Sequence, residues 1–109
     1  MNNLETYNKK TDELSTELSI KRNYVRGIEM IKKEEPVADE KDYEEEYEEE
    51  EEVDGEMQTV TKTRTIVVPK PHKEWEEKLT NHQQGYAVSV GKIATLRSEI
   101  ETLEEALLA

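Results

Sequence analysis

Residues 43–68 read YEEEYEEEEEVDGEMQTVTKTRTIVV, and the Asp54-Gly55 pair in the middle of this stretch organises the fold. A two-residue type I′ turn needs positive φ at both central positions, and Asp-Gly is one of the pairs that adopt it most readily. After the turn, Thr, Val and Ile residues follow one another as far as Val68 with period-two alternation, which is typical of a strand. The segment therefore predicts a β-hairpin that turns at Asp54-Gly55.

Folding the chain about this turn pairs residues whose numbers sum to 109, as those of Asp54 and Gly55 do. Glu45 then faces Arg64 and Tyr47 faces Lys62, which are mildly favourable cross-strand contacts. On the other face, glutamates stand opposite threonines: Glu44, Glu46, Glu48 and Glu50 opposite Thr65, Thr63, Thr61 and Thr59. A run of glutamates is nevertheless a poor strand, so the alternative is that residues 37–52 form a solvated, disordered tract and only residues 57–68 are ordered.

A helix is expected before the hairpin, over about residues 3–34. Its amphipathic positions follow three- and four-residue spacings: Leu4, Tyr7, Thr11, Leu14, Leu18, Lys21, Val25 and Ile28. Asn2 or Asn3 is placed to cap its start. Pro36 should end it, because a proline disfavours helical geometry at the residue before it.

A second helix is expected after the hairpin, over about residues 72–108, entered at Pro69 and Pro71. Its seam has the heptad spacing of a coiled coil: Leu79, Tyr86, Ile93, Ile100 and Leu107, with companions Trp75, His82, Ser89, Leu96 and Leu103. The stretch from Gly85 to Gly91 is its weakest part, where a break or a kink is expected. The helices pair either within one chain or between two chains. Because one short helix pair hides only part of such seams, we expect a homodimer, with these oligomerisation residues: Tyr86, Ile93, Leu96, Ile100, Leu103 and Leu107.

Together these elements predict an α+β fold in which two long amphipathic helices with coiled-coil-like packing flank a central acidic β-hairpin. The chain has 109 residues, the length of a single domain. We divide that domain into an N-terminal helix (1–35), an acidic segment with the hairpin (36–68) and a C-terminal helix (69–109). Only 33% of the residues are hydrophobic and none is Phe, so a large self-sufficient core is not expected.

The negative charge is concentrated in one segment. The formal net charge is −12, yet residues 34–56 hold fifteen Asp and Glu against one Lys, while the flanking regions are close to neutral. Such a chain is not expected to bind bare nucleic acid or an anionic membrane directly. The absence of Cys suits a reducing cytoplasm, which is the expected location.

Local motifs give no support to catalysis or to a metal site. Residues 85–93 resemble a phosphate-binding loop, but five residues separate the glycines and Ile93 stands where Ser or Thr should be. Residues 50–55 resemble the start of a calcium loop, but Thr61 stands at the twelfth position. His72 and His82 have no second ligand at helical spacing. We therefore expect no catalytic residue, no metal and no cofactor, and hence not an enzyme.

The acidic run is the candidate binding surface. It is internal, it is flanked by ordered elements, and two tyrosines interrupt it at a spacing that suits a strand. Same-face strand residues lie roughly 6.5–7 Å apart, comparable with two steps of about 3.4 Å along one DNA strand. The hypothesis is charge mimicry of nucleic acid, with these partner-binding residues: Tyr43, Glu44, Glu45, Glu46, Tyr47, Glu48, Glu49, Glu50, Glu51 and Glu52.

In its small size, its acidity and the runs Glu44–Glu46 and Glu48–Glu52, the chain resembles phage-encoded DNA-mimic inhibitors, including those directed at bacterial nucleoid proteins of the HU type. The resemblance implies an inhibitor in the host cytoplasm whose target is a basic DNA-binding protein. The order helix, hairpin, helix is also similar to that of prefoldin β-type subunits. That alternative implies a coiled-coil assembly, scaffold or chaperone subunit in which the acidic run only increases solubility.

Overall fold

The computed structural model describes residues 1–109 and has, along the chain, one long helix before and one after an antiparallel hairpin. In chain order the elements are α1 (Asn3–Lys33), a short 3₁₀ helix (Glu40–Tyr43), β1 (Glu44–Val53), β2 (Glu56–Thr65) and α2 (Lys70–Leu108). The α+β architecture expected from the sequence is confirmed. Both helices begin and end within two residues of the predicted positions.

By internal contacts the chain forms two compact units. One, which we call the helical unit, comprises residues 1–33 and 78–109; the other, the hairpin unit, comprises residues 34–77. No helix of either unit is both long enough and apolar enough to cross a membrane.

Local capping explains where α1 and the 3₁₀ helix start. The Glu5 backbone N–H donates to Oδ1 of Asn2 at 2.8 Å, which satisfies one of the free N–H groups of the first turn of α1. Asp39 does the same for the 3₁₀ helix, and the Asp42 carboxylate accepts a bond from the Asp39 N–H, forming a capping box. Of the two residues predicted to cap α1, Asn2 and Asn3, it is therefore Asn2 that does so.

In the helical unit, α1 and residues 78–108 of α2 pack against each other antiparallel. The Tyr7 hydroxyl donates to Glu104, Lys10 pairs with Glu99 at 2.7 Å, and Tyr24 lies edge-on to His82. As the residue numbers rise along α1, those of the contacting residues of α2 fall, so the two helices run antiparallel. The helix pairing therefore occurs within one chain.

The core of the helical unit is thin. Its buried apolar side chains are Ile31, Ile93 and Ile100, with 3%, 5% and 7% of their surface exposed. Ser89 is buried as well and donates to Oε1 of Glu17 at 2.8 Å. A buried polar contact of this kind fixes the register of paired helices, because a shift would leave the hydroxyl without an acceptor.

Two sequence predictions about the α1 seam are wrong. Val25 is 46% exposed, and Leu4 is 55% exposed. Tyr24 takes the seam position expected of Val25, one residue earlier, because its ring packs over Gly85. The seam then continues through Ile28 to Ile31, the most buried apolar residue of α1 and one that the prediction missed.

The α2 seam follows the predicted heptad more closely. Nine of its ten positions are buried or half-buried, and only Leu107, at the end of the helix, is exposed. The break expected between Gly85 and Gly91 does not occur, since α2 is one continuous helix from Lys70 to Leu108. Packing against α1 explains this, because tertiary contacts override the weak helix propensity of glycine.

Candidate binding face on the hairpin

The hairpin has the predicted turn and the predicted register. Asp54 and Gly55 have φ values of 51° and 82°, as a type I′ turn requires. β1 and β2 pair from Glu44↔Thr65 to Val53↔Glu56, and every pair sums to 109. The register therefore divides the ten residues of β1 between two faces, because successive side chains of a strand point to opposite sides.

One face carries the cations of the hairpin, and we call it the paired face. Nε and Nη2 of Arg64 both lie 2.9 Å from Oε2 of Glu45. The Lys62 ammonium lies 3.0 Å from Glu49 and also contacts Glu51. Hydrogen bonds to Glu51 and then Glu49 raise the pKa of Lys62 above its ordinary value. Three of the glutamates of β1 thus form ion pairs with the two cations of β2.

Tyr47 also belongs to the paired face. The Arg64 guanidinium lies 5.0 Å from the centre of the Tyr47 ring, which is within the range of a cation–π contact. Tyr43 lies at the end of the 3₁₀ helix, where its carbonyl accepts the Ile66 N–H at 2.8 Å and its side chain is 41% exposed. The structure therefore does not place Tyr47 beside the unneutralised carboxylates.

The opposite face, which we call the bare face, consists of alternating glutamates of β1 and threonines of β2. Its members are Glu44, Glu46, Glu48, Glu50 and Glu52 with Thr65, Thr63, Thr61 and Thr59. All of them are exposed, and no Lys or Arg forms an ion pair with any of these five glutamates. Their neighbours across the sheet are uncharged hydroxyl side chains and, opposite Glu52, Met57.

The two faces therefore differ in charge. The bare face carries five carboxylates and no cation. The paired face carries Glu45, Glu49, Glu51 and Glu56 against Lys62 and Arg64, a net charge of −2. At roughly 3.4 Å per residue, the five carboxylates of the bare face form a row about 27 Å long. The register predicted from the sequence already set these glutamates opposite threonines on one face, but the predicted binding site combined residues 43–52 of both faces into one surface.

The remaining predicted site residues lie in the helical unit. Ile93 and Ile100 are buried, Tyr86, Leu96 and Leu103 are half-buried, and Leu107 is exposed. The first five lie on the seam of α2 from which Ser89 and His82 contact α1. In this structure they pack within the chain.

The residues that resembled ligand sites lie in regular elements of the fold. Gly85 and Gly91 lie inside α2, and Gly85 accommodates the Tyr24 ring. Glu50 and Glu52 lie in β1, ahead of the Asp54-Gly55 turn. His82 packs against Tyr24, with Nδ1 3.0 Å from the Lys78 carbonyl oxygen. No group of three or more His, Asp or Glu side chains is arranged to hold a metal ion.

Comparisons with known proteins add no further identification: no protein-family model matches the chain, and neither a curated protein nor a solved structure shows significant similarity to it.

Proposed function

We propose that this protein is a non-catalytic, acidic inhibitor that occupies the nucleic-acid-binding surface of a basic partner by presenting the bare face in place of phosphates. The partner class is a basic DNA-binding protein of the cytoplasm, with an HU-type nucleoid protein as the reference case. The supporting observation is the five-carboxylate row of the bare face. Both cations of β2, Lys62 and Arg64, lie on the paired face instead.

The geometry of the row suits such a partner. Carboxylates at alternate strand positions repeat about every 6.5–7 Å. A protein that holds phosphates with Lys and Arg finds in this row acceptor oxygens at a comparable repeat. Because Lys62 and Arg64 are engaged on the other face, they do not compete with the partner's cations.

The threonines between the glutamates serve the same function. Their hydroxyl groups add hydrogen-bonding capacity without charge. They also keep the five carboxylates in a single row along β1, since no acidic residue of β2 lies on the bare face. The paired face meanwhile supplies cross-strand contacts that stabilise a strand in which eight of ten residues are glutamate.

A displacement assay tests the proposal. A short fluorescent duplex is bound to an HU-type protein, the acidic protein is added, and release of the duplex is followed by fluorescence anisotropy. We expect release at low salt, and we expect the affinity for the basic protein to fall about tenfold or more between low and moderate salt, as for any interface built on many charge contacts.

Two variants with equal charge change make the assay specific to one face. E46Q/E48Q/E50Q removes three carboxylates from the bare face, and E45Q/E49Q/E51Q removes three from the paired face. The first should lose displacement, while the second should retain most of it, with far-UV circular dichroism confirming that both fold. Equal effects of the two variants would show that only total charge matters, and loss confined to the second would contradict the proposal.

An assembly or chaperone function gives the reverse pattern. In that case polar substitutions at Leu96 and Leu103 destroy activity, while both glutamine variants behave like the wild type. The same set of variants therefore separates the two function classes.

A further inference from the structure

The two outer edges of the hairpin are chemically different. The sheet has only two strands, so each strand has one edge whose backbone groups have no strand partner. Along β1 the side chains beside that edge are almost all glutamates. Along β2, from Met57 to Thr65, there is no acidic side chain, and most of the residues are exposed. An edge of this kind, rich in threonine and without a proline, is a template for another strand.

The hydrogen-bonding pattern shows which backbone groups of β2 are available. The Ile66 N–H donates to the Tyr43 carbonyl, and in an antiparallel ladder such hydrogen-bonded pairs recur at every second residue. The even-numbered residues of β2 therefore bond to β1. The N–H and C=O groups of the odd-numbered residues point outward: Met57, Thr59, Thr61, Thr63 and Thr65.

We propose that β2 pairs with β2 of a second copy of the chain, antiparallel about a twofold axis at Val60. In this register Val60 faces Val60, Lys62 faces Gln58, and Arg64 of each copy faces Glu56 of the other. No like charges stand opposite each other. Pairing through the β1 edge would instead align glutamates with glutamates, which is unfavourable.

The charges on the paired face favour this occupant. Glu56 is opposite Val53 in its own hairpin and has no ion-pair partner there. Arg64 reaches Glu45 with two of its nitrogens, and a guanidinium has donors for a second carboxylate. A second copy thus supplies the missing cation for Glu56.

If the proposed function holds, the dimer would present two carboxylate rows to the basic partner instead of one. A twofold axis at Val60 pairs odd-numbered with odd-numbered residues, so both bare faces lie on the same side of the four-stranded sheet. Glu48 of one copy is then in line with Glu50 of the other, across three strand spacings, or about 14 Å. Two antiparallel carboxylate rows at that separation approach the width of about 12 Å of the major groove of DNA.

Repulsion between the rows does not oppose the dimer strongly at physiological salt. The separation of about 14 Å exceeds the Debye length of about 8 Å, so the rows are screened from each other. Added salt screens the Arg64–Glu56 pairs as well as the repulsion between the rows, so self-association should depend on salt less steeply than binding to the basic partner does.

Single cysteines test the register, because the chain contains none of its own. In this register the Val60 residues of the two copies face each other across the axis as a non-hydrogen-bonded pair. Their Cα atoms would lie about 4.5 Å apart, which permits a disulfide. Val60→Cys should therefore form a disulfide-linked dimer under mild oxidation at least tenfold faster than Met57→Cys. Met57 is a suitable control because it is exposed on the same strand but lies far from its own copy in this register.

Charge reversal tests the interface without oxidation. Glu56→Arg brings a second guanidinium opposite Arg64 of the other copy and should weaken the dimer at least tenfold in sedimentation equilibrium. Glu105→Arg makes the same charge change on an exposed residue of α2 and should not weaken it. Circular dichroism verifies that each variant folds.

Three results would overturn the inference: a wild type that sediments as a monomer at every concentration, equal crosslinking of the two cysteine variants, or equal weakening by the two arginine variants. Failure here is distinguishable from failure of the proposed function. If the protein is a monomer that still displaces duplex DNA, the proposed function stands and the dimer is wrong. If it is a dimer that displaces no duplex, the dimer stands and the proposed function is wrong.

Discussion

The Tyr24 ring of α1 occupies the space beside Gly85 of α2, so that a Cβ at Gly85 would stand only 2.8 Å from the Tyr24 hydroxyl oxygen and still closer to the ring edge. The glycine is therefore required by packing. It also explains why α2 passes through a glycine-containing stretch without a break.

Gly85→Ala should destabilise the helical unit, although alanine is the better helix former. The propensity gain is about 1 kcal/mol, but forcing a methyl group into a filled space costs about 1–3 kcal/mol, so a net loss of roughly 1 kcal/mol is expected. Urea denaturation followed at 222 nm measures it.

Gly91→Ala is the matched control, because no atom beyond the neighbouring residues and the nearby backbone of α2 lies within 4 Å of a Cβ at that position. It should stabilise the protein by up to about 1 kcal/mol. A stabilising effect of both substitutions would show that Tyr24 does not pack as described.

Gly55→Ala should destabilise the hairpin. Gly55 has a φ of +82°, and a side chain in left-handed backbone geometry costs about 1–2 kcal/mol. Asp54→Asn is the control, since asparagine also tolerates positive φ. Nitrogen-15 relaxation is the measurement: in the wild type, order parameters near 0.85 are expected along β1, and they should fall in Gly55→Ala alone. Freely tumbling amides in wild-type β1 would contradict the hairpin itself.

The ion pairs of Lys62 predict an effect of alkaline pH. Hydrogen bonds to Glu51 and Glu49 raise its pKa in the folded hairpin, so the folded state holds the proton more tightly than the unfolded chain. The stabilisation is fully present below the unfolded pKa of about 10.4 and is lost as pH rises through the higher folded value.

A titration of the Lys62 side chain by NMR checks this prediction. In the wild type its midpoint should lie above that of the same lysine in E49Q/E51Q. Equal midpoints in the two proteins would show that the carboxylates do not hold the ammonium.

The hairpin was predictable because a two-residue turn fixes every cross-strand pair at once. Asp54-Gly55 alone determined that Glu45 would meet Arg64 and that the threonines would face glutamates. The same register already placed Lys62 and Arg64 on one side, so the signal for a bare face was present. The register did not predict that Lys62 would pair with Glu49 and Glu51, which do not lie directly opposite it. Which carboxylate a long lysine side chain contacts depends on its conformation, since several lie within its reach.

The helix seams were less predictable in detail. Hydropathy favours Val25 over Tyr24, yet the ring lies in the seam because a glycine on the other helix makes room for it. Such a choice depends on the partner surface and is not visible in the periodicity of α1 alone. The expected break between Gly85 and Gly91 does not occur for the same reason, because a tertiary contact outweighs the local propensity.

The most direct test of the central claim is to map the surface that a basic DNA-binding protein touches. Threonine methyl groups mark the bare face at Thr59, Thr61, Thr63 and Thr65, Val60 marks the paired face, and threonines such as Thr95 and Thr102 report on the helices. When an unlabelled HU-type protein is added at low salt, the four hairpin threonine methyl signals should shift or broaden while Val60 and the helical threonines stay unchanged. Perturbation of Val60 or of the helices with silent hairpin threonines would contradict recognition through the bare face.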